Sequence, residues 1–138
     1  MTPPAAVTEF PPPAAPAPTL PDDGGRHVAH VLDERLASRG DEPALRHQVD
    51  GVWRDVSWRE LAERVRALSS ALVDAGVAEG DRVAILAANR PEWTIADLAV
   101  LRVRGVSVPI HATSSASQVA FILKDSGARL VFTDPGEP

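Results

Sequence analysis

Apolar residues recur along this chain with two alternating periods. From His27 to Arg39, Val28, Val31, Leu32 and Leu36 fall at helical spacing, with Gly40 as a stop. This predicts a short amphipathic helix. Ala44–Val49 and Val52–Trp58 then read as strands, with Asp50-Gly51 between them. A type I′ turn needs φ > 0 at both central residues, and Asp-Gly accepts it, so the pair predicts a hairpin. Ser57-Trp58-Arg59-Glu60 has the form of a capping box, and Leu61, Val65, Leu68, Leu72 and Ala75 follow as one stripe. Arg59, Glu63, Arg64, Arg66 and Asp74 occupy the opposite face, and Gly76 stands at the expected C′ position.

The second half alternates short apolar runs with helical patterns. Arg82–Ala87 reads as a buried strand. Asn89 is placed to cap the next helix, with Pro91 in the first turn, where its missing N–H costs nothing. Glu92 near the start of that helix, and Arg102 and Arg104 near its end, match the helix dipole. Between them Trp93, Ile95, Ala96, Leu98, Ala99, Val100, Leu101 and Val103 make the helix apolar nearly all round, which predicts burial on more than one side. Gly105 is expected to end it. Val106–Ile110 is a further strand. Ser115-Ala116-Ser117-Gln118 is a second capping box, opening a helix with Val119, Ala120, Ile122 and Leu123 inward and Gly127 as its stop. Arg129–Thr133 is the last strand. Helix, strand, helix, strand, helix, strand from residue 58 predicts an α/β fold: parallel βαβ units with right-handed crossovers, helices on both faces, and a preceding β-hairpin.

Composition changes this picture at one end. Residues 1–26 hold most of the prolines, including Pro11-Pro12-Pro13. Proline fixes φ and removes a donor, so the segment reads as an extended, disordered tail, either dispensable or a proline-motif ligand for a partner. It lacks the basic start and unbroken apolar run of a signal peptide. Residues 27–138 are the expected folded part. No apolar run approaches the ~20 residues needed to span a bilayer, so no transmembrane segment is expected and the cytoplasm is the expected location. The absence of cysteine excludes disulfides and thiolate metal sites. A formal charge of −5 with no basic block argues against nucleic acid as a partner.

Catalytic constellations are missing. No glycine-rich phosphate loop or G-x-S-x-G elbow occurs, and Lys124 is the only lysine. His27 and His30 have an i, i+3 spacing that could hold a metal, but no third ligand accompanies them, so a solvent-facing pair is expected and no metal site is assigned. Ser115 is explained as a cap. Asp97, inside an apolar helix, is expected to be a structural acid satisfied by a partner. Parallel sheets bind ligands beyond the carboxyl ends of their strands. Those ends are Ala87–Arg90, Ile110–Thr113 and Thr133-Asp134, and the loop holding His111, Ala112 and several hydroxyls is the best local candidate for a ligand edge, against a plain loop leading to a helix cap.

The segments GDRVAIL, NRPEW, GVSVPI and TSSASQV, in this order, resemble the N-terminal region of the adenylate-forming (AMP-binding) acyl-CoA synthetase superfamily, and the long-chain fatty acid–CoA ligases in particular. The resemblance spans roughly residues 28–138. It implies the N-terminal portion of the adenylate-forming fold, and in the full-length enzyme a two-step reaction. ATP and a fatty acid give an acyl-adenylate and pyrophosphate; CoA then displaces AMP to form a thioester. It also implies Mg2+ on the phosphates, a Thr/Ser/Gly-rich loop with a lysine, and a catalytic lysine in a small C-terminal domain. Lys124 matches neither lysine, so no catalytic residue is carried over and the chain alone is expected to be inactive. Met1 reads as a start, which puts the missing portion after Pro138. The loop matching His111 and Ala112 lies near the CoA channel in some of these ligases, which makes these two residues the candidate cofactor-binding edge. Many long-chain relatives have Tyr-Glu there, and a small residue where this chain has Arg104. Two other readings stay open: a fragment of an adenylation domain that loads a carrier protein, and a non-catalytic binding module.

Overall fold

A computed structural model describes residues 27–134 of the 138-residue chain. The tail expected over residues 1–26 lies outside the described residues. The elements run α1 (Val28–Arg39), β1 (Pro43–Val49), β2 (Val52–Ser57), α2 (Trp58–Asp74), β3 (Arg82–Leu86), α3 (Pro91–Arg102), β4 (Val106–Ile110), α4 (Ala116–Ser126) and β5 (Leu130–Thr133). Strands β1 and β2 form an antiparallel hairpin. The other three form a parallel sheet in the order β4-β3-β5. Crossover α3 leads from β3 to one neighbour, whereas α4 leads back across β3 to the other side. With right-handed crossovers this reversal puts α3 and α4 on opposite faces. None of the described helices is long and apolar enough to cross a membrane.

The local signals act as read in most places. Asp50 and Gly51 both take positive φ, 50° and 78°, as a type I′ turn requires. Helix α2 ends in a Schellman motif: Gly76 has φ 81°, its N–H donates to the Val73 carbonyl, and the Val77 N–H donates to the Leu72 carbonyl at 3.0 Å. The stripe of α2 is buried at Leu61, Ala62, Val65, Ser69 and Leu72, and packs on Ile95, Ala99 and Val100 of α3. Helix α3 is enclosed by α1, α2, β1 and the sheet, in keeping with its apolar circumference. Strand β3 is central, and Val83, Ala84 and Ile85 are buried on both of its faces. Pro109 lies in β4, an edge strand, the place in a sheet where a missing donor is tolerated.

Four details differ from expectation. The N-cap of α3 is Arg90, without a side-chain cap bond, rather than Asn89. Pro91 at the first helical position supplies the preset φ, and Asn89 is left outside the helix. The α3 terminus also falls one residue early. Arg104, φ 60°, takes the left-handed position, and the Gly105 N–H donates to the Val100 carbonyl at 2.9 Å. Glycine is needed one position later, because a Cβ on Gly105 would lie 3.0 Å from Val100 Cγ1 and 3.2 Å from the Asp81 carbonyl oxygen. Only half of the Ser57 capping box forms. Ser57 Oγ accepts from the Glu60 N–H at 3.2 Å, while the Glu60 carboxylate turns to Arg64 one turn along. Finally, no residue of α4 is buried: Val119, Ile122 and Leu123 are half-buried and Ala120 is exposed.

Candidate functional site

The carboxyl ends of β3 and β4 flank an open cleft of about 520 Å³. One wall is the β3–α3 loop, Ala87, Ala88 and Asn89, with Trp93 from the first turn of α3. The other is Pro109 and Ile110 at the end of β4, followed by His111 and Ala112. Register explains the pairing of walls, because Leu86 sits opposite Ile110, so the two strands deliver their loops side by side. His111 and Ala112 therefore border a cleft. The hydroxyls of the same loop do not join them. Ser115 Oγ caps α4 by accepting from the Gln118 N–H, and Ser114 and Ser117 line a different depression with Phe121 and Ile122.

A second, smaller hollow of about 270 Å³ opens on the other side of the β3–α3 loop, between β3 and β5. Ala87, Arg90, Trp93, Phe132 and Asp134 border it, so Ala87 and Trp93 face both spaces. Asp134 Oδ2 accepts the Ala88 N–H at 2.7 Å, and its Oδ1 lies 3.4 Å from Arg90 Nη1. Arg90 Nε donates to Glu92 Oε2 at 2.8 Å, and this bond holds the Glu92 carboxyl below the ordinary carboxylate range against the opposing effect of burial.

Small side chains (Ala87, Ala88, Ala112) and two rings (Trp93, His111) give the larger cleft a mainly apolar lining with few polar groups, Asn89 and His111 among them. Such a lining suits a ligand held by packing and a few directional bonds. It contains no nucleophile paired with a base. Among the described residues no group of three or more histidines and carboxylates could hold a metal. His27 and His30 have another role. His27 Nδ1 accepts from the Ala29 N–H at 3.3 Å and His30 Nδ1 from the His27 N–H at 3.2 Å, so the pair forms a reciprocal cap on α1. The i, i+3 spacing was a capping-box signal, hidden by the unusual residue type. Asp97 is half-buried, and the partner expected for it is absent among the described residues. Lys124 lies exposed in the last turn of α4, outside the cleft. Asn89 lies in one of the strand-end loops read from the sequence, whereas Trp93 enters the cleft from a helix that the sequence marked only as buried.

Comparison with known proteins bears on this scaffold directly. The AMP-binding enzyme family model matches residues 32–138. The long-chain-fatty-acid–CoA ligase FadD15 of Mycobacterium bovis is 43% identical over 112 residues, covering 80% of this chain and 19% of that protein. Malpibaldin synthetase of Mortierella alpina is 36% identical over 106 residues, covering 77% of this chain and 2% of that protein. Among solved structures, the Klebsiella oxytoca NpsA N-terminal subdomain in complex with 3-hydroxyanthranilyl-AMSN superposes with a TM-score of 0.71 at 32% identity, over 79% of this chain and 27% of that one. The chain thus spans about a fifth of the length of the FadD15 ligase and about a quarter of that of the NpsA subdomain. The family model covers well over half of the chain, which belongs to the AMP-binding enzyme family.

Proposed function

We propose that this chain is the N-terminal part of an ATP-dependent long-chain fatty acid–CoA ligase. The observation that carries the reading is the 43% identity to FadD15, against 36% to malpibaldin synthetase and 32% to NpsA. In this reading the whole enzyme joins a fatty acid to AMP with loss of pyrophosphate, and the CoA thiol then displaces AMP. Residues 27–138 are the opening part of its ligase domain, working in the cytoplasm. They supply scaffold and one ligand edge rather than catalysis. His111 and Ala112 border the CoA path, with Asn89 and Trp93 opposite them. The apolar lining suits the pantetheine portion, whose few amides need few partners. The described residues offer no carboxylate cluster for magnesium, so no step through the metal is assigned to them.

A second reading has its own support. The fused adenylation–PCP di-domain NpsA-ThdA superposes with a TM-score of 0.73 at 31% identity, so the acceptor could be a carrier protein. Two chimeras separate the readings, one with residues 28–134 replacing the matching segment of FadD15 and one with them in NpsA. The ligase reading expects CoA thioester formation from the first and little adenylation from the second. The reverse order would overturn it, and acyl-dependent ATP–pyrophosphate exchange by the isolated chain would refute the scaffold role.

A further inference from the structure

We infer that Asp134 is a positioning residue for the carboxyl-edge cleft. It stands at the end of β5, and its bond partners lie in the loop that follows the adjacent strand β3. Oδ2 accepts the Ala88 N–H at 2.7 Å and Oδ1 lies 3.4 Å from the Arg90 guanidinium. Ala88 is part of the wall that faces His111 and Ala112. The side chain therefore bridges from the end of β5 to the loop that follows its neighbour β3, and holds the wall of a cleft that it does not itself line.

The rest of that wall has little else to fix it. Ala88 and Asn89 are exposed, and Asn89 makes no cap bond to α3. The next anchor along the chain is the Trp93 N–H, donating to the Arg90 carbonyl at 3.0 Å. A hydrogen bond from a backbone N–H to an ionised carboxylate is among the stronger kinds. Here it reaches the middle of the loop, and the contact to Arg90 secures its end. Arg90 is shared with Glu92, so the guanidinium is held from two sides. Trp93, one turn into α3, borders both the cleft and the hollow that holds Asp134, and so senses any movement of the wall. Asp134 acts through Ala88 and Arg90, and no contact between it and a ligand is implied.

The inference concerns the cleft assigned above as a ligand edge, but its test reads the wall and not turnover, so it fails or holds independently of the ligase reading. The chain is labelled with 15N and with 5-fluorotryptophan, and the 19F lines of Trp53, Trp58 and Trp93 are assigned by single Trp→Phe variants. Asp134→Ala is expected to speed exchange of the Ala88 amide at least tenfold, to leave the amides of Ile95 to Val100 unchanged, and to shift or broaden the Trp93 line alone. Asp134→Asn, which keeps one accepting oxygen without the charge, should fall between. Faster Ala88 exchange with an unmoved Trp93 line would overturn the proposal, because the bond would then exist without setting the wall. Loss of all three 19F lines in both variants would also overturn it, making Asp134 a residue of general stability.

Discussion

Helices α2 and α4 start from similar local instructions and end in different surroundings. Each is opened by a serine cap and closed by a left-handed glycine, Gly76 after α2 and Gly127 after α4. The box at Ser115 is the more complete, with Gln118 Oε1 accepting the Ser115 N–H at 2.8 Å, whereas Glu60 leaves Ser57 for Arg64. Yet α2 buries five residues and α4 none. Caps decide where a helix begins and stops; burial depends on what other segments bring against it. The stability of the described part is therefore concentrated around α2, α3 and β3, and α4 with β5 forms a thinly covered flank.

The sharpest way to break this contrast is to remove one large apolar side chain from each helix. Leu61, 2% exposed in α2, is expected to cost about 2–5 kcal/mol as Leu61→Ala. Phe121, 51% exposed in α4, is expected to cost less, about 1 kcal/mol as Phe121→Ala. Urea unfolding of both variants tests the pair, and equal losses would mean that the two flanks share the load. Gly105→Ala probes the packed side by addition. Its new methyl would press on Val100 and on the Asp81 carbonyl, at an expected cost of about 1–3 kcal/mol in the same measurement. Ser115→Ala is expected to cost about 1 kcal/mol from the lost cap. It should be seen mainly as faster amide exchange within α4, with the α2 amides unmoved. A matching loss in α2 would show that the flank is coupled to the core.

Much of this fold could be read from residues in sequence. The Asp50-Gly51 turn, the α2 stripe and the all-apolar character of α3 are local, and their periods match the observed elements to within a residue or two. The misreadings arise where two local rules compete. At the end of α3, glycine preference for the left-handed position pointed to Gly105, but close approach to Val100 and Asp81 claims that glycine, and Arg104 takes the positive φ instead. At its start, a proline with preset φ made a side-chain cap at Asn89 dispensable. The two histidines at the start of α1 read from sequence as a solvent-facing pair, and their capping role is hidden there because histidine is an unusual residue for a capping box. For the site, the loop bearing His111 could be chosen from the rule for parallel sheets. The same rule names Ala87–Arg90, which supplies most of the opposite wall, but the reach of Asp134 could not be read, because 46 residues separate it from Ala88 and only the order β4-β3-β5 brings them together.

Pro109 gives that strand order a polarity. Along the outer flank of β4 a fourth strand would meet a ring where it needs an N–H, and its ladder would be broken at that rung. Leu130 to Thr133 contain no proline, so the outer flank of β5 keeps its full set of donors. The sheet can thus be widened without interruption in one direction only, away from β4 and past Phe132, and a single imino acid makes one margin a terminus and the other a seam.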